Sequence, residues 1–385
     1  GVLQGAVARV SSPALIGGPI TLKTNEKGQW RFPALPPGSY GIDVELQGFA
    51  PYHEAGISFF VYATFQRTVQ LNVAGIAESV VVEGAGSRID ARNPGFASRF
   101  GSDDLKTIPS RRTSMFDAIR AMPGISPTSP ASGTVTTISA FGSGTNENQF
   151  LIDGTNFTCP CVGIARAEPG IDFIQEVQVQ SVGASAEFGN VQGAVINVVT
   201  RQGSERWLSD ASYYWQNAAL TSQPVVLTSA SGPSGYERDH YRDLTANVGG
   251  PAIHDRLWIF AGYQYLRDAD SQPGAAPAFP RIYEQNKVFT KLTWNLAPSW
   301  RLNQSVHGEH WISADAPTLT TPFAATVRRT ANVPAITFGE LTHTMSPSTL
   351  WDVRAARFVY AQKSLPPSGN LTTPNRSDVA TGINS

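Results

Sequence analysis

A glycine-rich turn and a short apolar β run share one stretch, Ser185-Ala-Glu-Phe-Gly-Asn-Val-Gln-Gly-Ala-Val-Ile-Asn-Val-Val-Thr-Arg-Gln-Gly203. Upstream, Gln149-Phe-Leu-Ile-Asp-Gly154 shows the same association of an apolar strand with a turn. Downstream, the chain changes to segments of about ten residues in which polar and apolar side chains alternate. The sequence therefore predicts a compact globular segment followed by strands of the kind that build a barrel.

The composition of the 385 residues fits an all-β protein with many turns. Only 15% are charged, while glycine (35) and proline (27) are plentiful. The net charge of -1 gives no electrostatic support for binding nucleic acid. No window approaches the roughly 18 apolar residues of a membrane-spanning helix. This absence does not exclude a membrane protein built from β-strands, because in such strands only every second residue needs to be apolar.

The region from about residue 207 onward alternates with the period of a β-strand. In one segment, Val288 and Leu292 alternate with Lys287 and Lys291. An apolar face for lipid and a polar face for a wet interior would give this pattern. The predicted strands are Trp207–Ala218, Leu244–Gly250, Arg256–Leu266, Lys287–Leu296, Arg301–Trp311, Ile336–Met345 and Leu350–Tyr360.

Short and long spacers alternate between these strands, as expected for short turns at one end of a barrel and long loops at the other. Seven strands are too few to close around the predicted globular segment, since barrels that enclose such a segment use about 22. We therefore expect residues 204–385 to form the first third of a transmembrane antiparallel barrel, in a chain that is cut at its C-terminal end. The N-terminal residues lack a signal peptide, which predicts a mature form or a fragment.

The pattern of residues 1–75 predicts a small antiparallel β-sandwich. Its predicted strands are Gly5–Val10, Ile20–Thr24, Gln29–Pro33, Gly41–Leu46 and Phe65–Val73. The order Gly-x-Trp-x-Phe, Leu-Pro-Pro-Gly-x-Tyr and Gly-Phe between residues 28 and 49 resembles the carboxypeptidase-regulatory-like domain. That resemblance implies a transthyretin-like β-sandwich. His53 and Glu54 do not amount to a zinc site, and a solvated loop is the simpler interpretation.

Five motifs in residues 85–203 resemble, in order, the plug domain of TonB-dependent outer-membrane receptors. A regulatory-like domain ahead of the plug further resembles the Oar-like and SusC-like branches. The resemblance implies an α+β plug domain and assigns the plug motif to Asp153, Gly154, Glu187, Gly189, Gly193, Asn197 and Arg201. The matching segments are 105–109, 117–124, 150–154, 174–179 and 186–200.

Within this motif the charged residues receive different interpretations. Asp153 with Gly154 predicts an Asx turn, since no catalytic partner lies nearby in a recognisable arrangement. The family resemblance implies that Glu187 and Arg201 face the barrel wall and hold the plug by ion pairs.

Residues 76–84 form a linker that resembles the TonB box, with Glu78, Ser79, Val80, Val81 and Val82 as its central residues. A TonB box pairs as a strand with a periplasmic energy transducer, by β-augmentation. The alternative is that these residues form the last strand of the sandwich or a plain linker.

Both cysteines, Cys159 and Cys161, lie in one loop. A local disulfide, contact with a ligand or metal, and two free thiols are the competing interpretations. An oxidising periplasm favours the disulfide. His307 and His310 cannot chelate a metal together, because residues three apart on a strand point to opposite faces. The sequence therefore predicts no metal site and no cofactor.

The predicted function is that of an Oar-like, TonB-dependent outer-membrane receptor rather than an enzyme. By resemblance, it would take up a scarce extracellular solute, either a carbohydrate, a peptide or a metal chelate. Its partners would be a TonB-type transducer, outer-membrane lipid and the extracellular ligand, with the N-terminal domain in the periplasm. The alternative is a β-rich surface protein that binds or adheres without transport.

Overall fold

The computed structural model describes residues 1–32, 35–36, 38–59, 65–73, 81–82, 97–108, 112, 114–128, 137–160, 162–180, 188–189, 191–222, 228–229, 232–233, 238–271, 279–317, 321–346, 349–369, 371–372 and 376–380. These residues form a mainly β structure, which confirms the predicted fold class. They comprise an N-terminal domain (up to residue 82), a plug (97–200) and a barrel wall (208–365). None of the described helices is long and apolar enough to cross a membrane.

The N-terminal domain is built on one five-stranded sheet. Its strands are β1 (Val7–Ser11), β2 (Ile20–Lys23), β3 (Gly38–Glu45), β4 (Tyr52–Phe59) and β5 (Val81–Val82), in the order β2-β1-β3-β4-β5. Alternation along β3 places Tyr40, Ile42 and Val44 in the core. Only the last pairing, β4 with β5, is parallel.

Two predicted strands of this domain are wrong. Residues 29–32 and 65–72 form no strand, and Val73 makes only an isolated bridge to Phe49. Apolar side chains of these segments, among them Trp30, Phe32 and Phe65, pack against the core of the sheet. In the described residues, these segments thus cover the sheet by side-chain packing and do not form a second hydrogen-bonded sheet.

Strand β4 escaped the sequence analysis because a bulge interrupts its alternation. Tyr40 pairs with Ile57 and Ile42 pairs with Glu54, so the register shifts between them. Glu54 and Ile57 are consequently both buried although they lie three residues apart. Gly56 accommodates the bulge with a φ of 77°.

The plug contains a mixed five-stranded sheet in the order β10-β9-β12-β11-β6. Its central strand β12 is buried at every position, since it lies between parallel β9 and antiparallel β11. This strand confirms the apolar run predicted from the sequence. The plug elements are β6 (Ala97–Gly101), α1 (Ser102–Thr107), α2 (Phe116–Ile119), β7 (Ile125–Thr128), β8 (Thr137–Ala140), β9 (Gln149–Ile152), β10 (Thr155–Asn156), β11 (Ile174–Gln180) and β12 (Val195–Thr200).

The wall is an antiparallel sheet of seven strands, β13-β16-β17-β18-β19-β20-β21, and all seven predicted strands are present. Six of them extend beyond the predicted segments and run for 14 to 19 residues. The elements are β13 (Leu208–Asn217), the small hairpin β14 (Thr228–Ser229) and β15 (Gly232–Pro233), then β16 (Arg238–Ile253), β17 (Leu257–Asp270), β18 (Arg281–Ala297), β19 (Trp300–Ala314), β20 (Arg328–Ser346) and β21 (Thr349–Leu365).

The wall turns polar side chains inward and apolar side chains outward. In β16, Asp243 and Asn247 are 0% and 4% exposed, whereas Leu244 and Val248 are each 41% exposed. In β18, Lys287 is 2% exposed beside Val288 at 51%. A water-soluble protein shows the reverse tendency. The outer face therefore suits lipid, while the inner face lies against the plug.

Connections of different length collect at the two ends of the wall. At one end, hereafter the short-turn end, the strand pairs β16–β17, β18–β19 and β20–β21 are separated in the sequence by only two or three residues. Residues 218–237, 271–280 and 315–327 connect the strands at the other end. This alternation agrees with the predicted one.

Replacing Val248 by Arg should destabilise the full-length protein in lipid by up to about 2–4 kcal/mol, because the charge would enter the apolar band. The matched control is Val2→Arg on the N-terminal domain, where Val2 is 70% exposed and a surface change should cost within about 0.5 kcal/mol. Unfolding in lipid vesicles measures both values. Equal, small effects would show that the outer face of the wall is wetted by water.

Candidate functional site

Asp153 joins the plug to the wall. It follows β9 with a φ of 47°, and its carboxylate accepts hydrogen bonds from the Thr200 backbone N–H at 3.0 Å and from the Thr200 hydroxyl at 2.5 Å. Lys291 of β18 places its Nζ 3.0 Å from Asp153 Oδ1 and 3.0 Å from Thr200 Oγ1. The predicted turn residue thus also forms an ion pair with the wall.

Arg201, directly after β12, also contacts the wall. Its Nη2 donates to Asp210 Oδ1 of β13 at 2.8 Å, and its Nη1 donates to the Asp172 carbonyl oxygen at 3.1 Å. The guanidinium lies 5.1 Å from the centre of the Phe260 ring. A cation, an acceptor in the wall and an aromatic face are therefore combined at one point of the interface.

Arg112 is a plug-to-wall contact that the sequence analysis missed. Its guanidinium lies between Asp172 of the plug, at 2.5 Å, and Asp243 of β16, at 3.2 Å. The same group stands 4.3 Å from the centre of the Tyr214 ring. Its backbone has a φ of 59°, in the left-handed region that favours glycine. A residue with a side chain is strained in this conformation, and the ion pairs to Asp172 and Asp243 help to hold it there.

A buried polar cluster forms a further contact, centred on Glu309 of β19. The Glu168 backbone N–H of the plug donates to Glu309 Oε2 at 2.9 Å, and Gln285 Nε2 donates to Glu309 Oε1 at 2.8 Å. His307 Nε2 lies 3.2 Å from the same carboxylate, and Lys287 lies close by. Burial raises the pKa of the Glu168 carboxyl to about 8, reinforced by Glu309 and opposed by Lys287.

Apolar contacts accompany the charged ones. Phe173 of the plug stacks on Phe289, with ring centres 6.1 Å apart, and Phe289 packs against Phe260. Gly262 of β17 leaves room for this approach, since a Cβ there would lie 2.6 Å from the Phe173 ring. A glycine inside a strand often marks such a close approach.

The remaining residues of the predicted plug motif lie mostly inside the plug. Asn197 is buried and accepts from the Gly154 backbone N–H at 3.2 Å. At Gly193 a Cβ would lie 2.3 Å from Asn148 Oδ1, which instead accepts from the Ala194 backbone N–H at 3.0 Å. Among the described residues, no atom lies within 4 Å of a Cβ placed at Gly189. The predicted residue at position 187 lies outside the described residues.

The predicted cysteine site and TonB-box-like segment are described only in part. Cys159 is disulfide-bonded, while position 161 lies outside the described residues, so the pairing stays a prediction. Positions 78–80 also lie outside them, and Val81–Val82 form β5. Within the described part of the chain, no group of three or more His, Cys, Asp or Glu residues could hold a metal ion. His307 is buried, and His310 instead contacts Asn332.

Comparison with known proteins gives one curated relative and a set of solved structures. The TonB-dependent transporter Oar of Myxococcus xanthus is 28% identical over 290 residues, which are 74% of this chain and 26% of the relative. The chain thus spans about a quarter of the length of that relative. No family model matches the chain.

The chain is also similar to solved structures. The outer membrane transporter YddB from Escherichia coli has a TM-score of 0.52 and 14% identity, over 69% of this chain and 38% of YddB. The siderophore receptor PirA from Acinetobacter baumannii has a TM-score of 0.45 and 14% identity, over 70% of this chain and 44% of PirA. The likeness to YddB supports the fold.

These findings support an Oar-like TonB-dependent receptor. The resemblance inferred from the sequence motifs is confirmed, and with it the main expectation of an outer-membrane protein. The relatives are transporters and receptors, not enzymes. The described polar residues at the interface between plug and wall contact one another across it and so anchor the plug to the wall.

The pH dependence of stability should reveal the buried Glu168. Its pKa rises from 4.5 to about 8 on folding, so between these values the folded state holds a proton that the unfolded state has lost. Stability from this group is therefore full below about pH 4.5 and falls toward pH 8, by up to about 1.4 kcal/mol per pH unit. Glu168→Gln should remove this slope in thermal unfolding of the full-length receptor.

The matched control for that experiment is Glu26→Gln, at an exposed position of the N-terminal domain. It should leave the pH dependence of unfolding as it is in the unmodified receptor. If Glu168→Gln and the unmodified receptor showed parallel curves from pH 5 to 8, the inferred protonation of Glu168 would be wrong.

Replacing Arg112 should separate backbone strain from ion pairing. Arg112→Ala and Arg112→Gly both remove the contacts to Asp172 and to the fully buried Asp243, a loss of about 3–5 kcal/mol for a buried pair. Glycine should recover about 1 kcal/mol of this loss because it accepts the positive φ. Chemical unfolding of the full-length receptor measures the difference, and an alanine variant as stable as the glycine variant would contradict strain at this position.

Proposed function

We propose that the full-length receptor imports a scarce extracellular solute across the outer membrane, driven by a TonB-type transducer. One observation carries the proposal: an inverted wall, apolar outside and polar inside, lies against a folded plug anchored by ion pairs. A wall of this kind suits a membrane. A plug fixed inside it would block passage until the contacts rearranged, so that transport would need an input of energy.

The anchoring contacts explain why energy would be required. Asp153–Lys291, Arg112–Asp243 and the Glu168–Glu309 contact connect the plug to three different wall strands. For a buried ion pair such as Arg112–Asp243, leaving one charge without its partner costs about 3–5 kcal/mol. Thermal fluctuation alone would rarely break several such contacts together.

The proposed point of energy input is the TonB-box-like segment, residues 78–82. Its Val81–Val82 part is β5, the terminal strand of the N-terminal sheet, paired on one side with His53 and Glu54 of β4. The other edge of a terminal strand is available to a further strand. A strand of the transducer would add there, with main-chain hydrogen bonds providing affinity.

The proposed solute is a carbohydrate, a peptide or a metal chelate, bound at the end of the barrel that carries the long connections. Near that end, Ala165 and Arg166 of the plug line a small pocket with Trp311 and Tyr360 of the wall. A surface protein that only adheres would not need a plug anchored to three strands of the wall. The anchored interface therefore favours transport.

Deleting Glu78–Val82 should abolish binding of the transducer and energised uptake, because the strand that accepts the transducer would be lost. Binding of the extracellular solute should persist, since the deletion lies far along the chain from the long connections. Surface plasmon resonance between the purified full-length receptor and the periplasmic domain of a TonB-type transducer measures the first effect.

Val81→Ala is the matched control, because it shortens a side chain and keeps every main-chain donor and acceptor. Transducer binding should stay close to that of the unmodified receptor. Undiminished binding by the deletion variant would rule out residues 78–82 as the TonB box.

A further inference from the structure

A large cavity lies at the short-turn end, between the N-terminal domain, the plug and the wall. Its volume of about 1700 Å³ exceeds the roughly 300–1000 Å³ of ordinary ligand pockets. The N-terminal domain contributes Trp30 and Phe32, the plug contributes Asp153 and Asn197, and the wall contributes Asn303. The Asp153–Lys291 anchor therefore borders this cavity directly.

Polar contacts between described residues hold the N-terminal domain in place here. Gln202 Nε2 donates to the Ala14 carbonyl oxygen at 2.6 Å, and the Gly17 backbone N–H donates to Glu205 Oε1 at 2.8 Å. Gln178 Nε2 of the plug donates to the Phe59 carbonyl oxygen at 3.2 Å.

Tyr40 and Gly17 bring the N-terminal domain against the wall as well. Tyr40 is buried, and burial raises the pKa of its hydroxyl, with Arg301 of the wall close enough to oppose that change. A Cβ at Gly17 would lie 3.5 Å from the Trp258 ring. Among the described residues, the contacts thus reach both plug and wall and include three polar ones, and polar contacts are common in interfaces between domains that move.

We propose that the N-terminal domain is a lid on the short-turn end of the barrel, and that the cavity behind it is a vestibule through which cargo leaves. This inference rests on the proposed transport function. A solute that passes the plug on the side of Asp153 and Lys291 enters the vestibule, and the lid lies between the vestibule and the periplasm.

The position of β5 couples the lid to the transducer. Val81–Val82 are paired with β4 of the lid, and the chain reaches the first plug strand, β6, only after residues 83–96. A pull on residues 78–82 therefore acts on the lid sheet before it reaches the plug. The lid moves away from Gln202 and Glu205 first, and the plug contacts rearrange afterwards.

Cross-linking in living cells tests the lid without knowledge of the solute. The full-length receptor carries Ala14→Cys and Gln202→Cys, and a short bismaleimide joins the two thiols when the lid is docked. With the proton gradient intact and the transducer present, the yield of the short cross-link should fall by about threefold or more relative to cells treated with a protonophore. A long, flexible bismaleimide should give equal yields in both conditions.

A second pair of cysteine substitutions keeps the test valid if the first double variant does not fold. Pro19→Cys with Glu205→Cys uses two exposed positions and should respond in the same way. A yield that is high and independent of the proton gradient for both pairs would overturn the lid, as would a low yield in protonophore-treated cells.

Transducer binding, measured separately, distinguishes the two proposals. If the receptor binds the transducer through residues 78–82 and the short cross-link stays insensitive to energy, the lid is wrong and the proposed function stands. If the receptor does not bind the transducer, the proposed function itself fails.

Discussion

The inverted polarity of the wall is the constraint on which the other features depend. A strand in lipid must present apolar side chains outward, and strict alternation then sends its other side chains inward. In this wall those inward positions include Asp243, Lys287 and Glu309, all buried. Buried charges are costly unless they are paired. The plug supplies part of the pairing, namely Arg112 for Asp243 and the Glu168 backbone N–H for Glu309. The wall and the plug therefore cannot be understood as separate folding problems.

Local patterns explain how much of the fold could be predicted. The face of a wall residue such as Val288 or Lys287 follows from period-two alternation within a few neighbours, and all seven wall strands were found on that basis. In β4 the bulge between Tyr40 and Ile42 breaks the alternation, and the strand was missed. The segments around Trp30 and Phe65 are apolar enough to be taken for strands, yet they pack without a ladder. In this chain, the pattern of apolar and polar residues therefore predicts which side chains are buried better than it predicts which backbone segments pair as strands.

The anchoring contacts were harder to predict, because their partners lie far apart in the sequence. Arg112 and Asp243 are 131 residues apart, and Asp153 and Lys291 are 138 residues apart. Neither residue type nor spacing identifies such pairs. Arg201 was assigned to the wall only by family resemblance, whereas Arg112 had no local signal, since its glycine-like backbone conformation cannot be read from an arginine. Long-range charge complementarity appears only when the plug is placed against the wall.

The surroundings of each anchor determine how much its release would cost. Asp153 and Lys291 border the vestibule, where water can solvate the separated charges, so that breaking this pair costs little more than the lost attraction. Glu309 lies in a cluster without such space, and its separation from the Glu168 backbone would leave a buried carboxylate short of a donor. Movement of the plug is therefore least costly when it begins on the vestibule side. The end of the plug nearest the N-terminal domain is thus the end where applied force meets the weakest opposition.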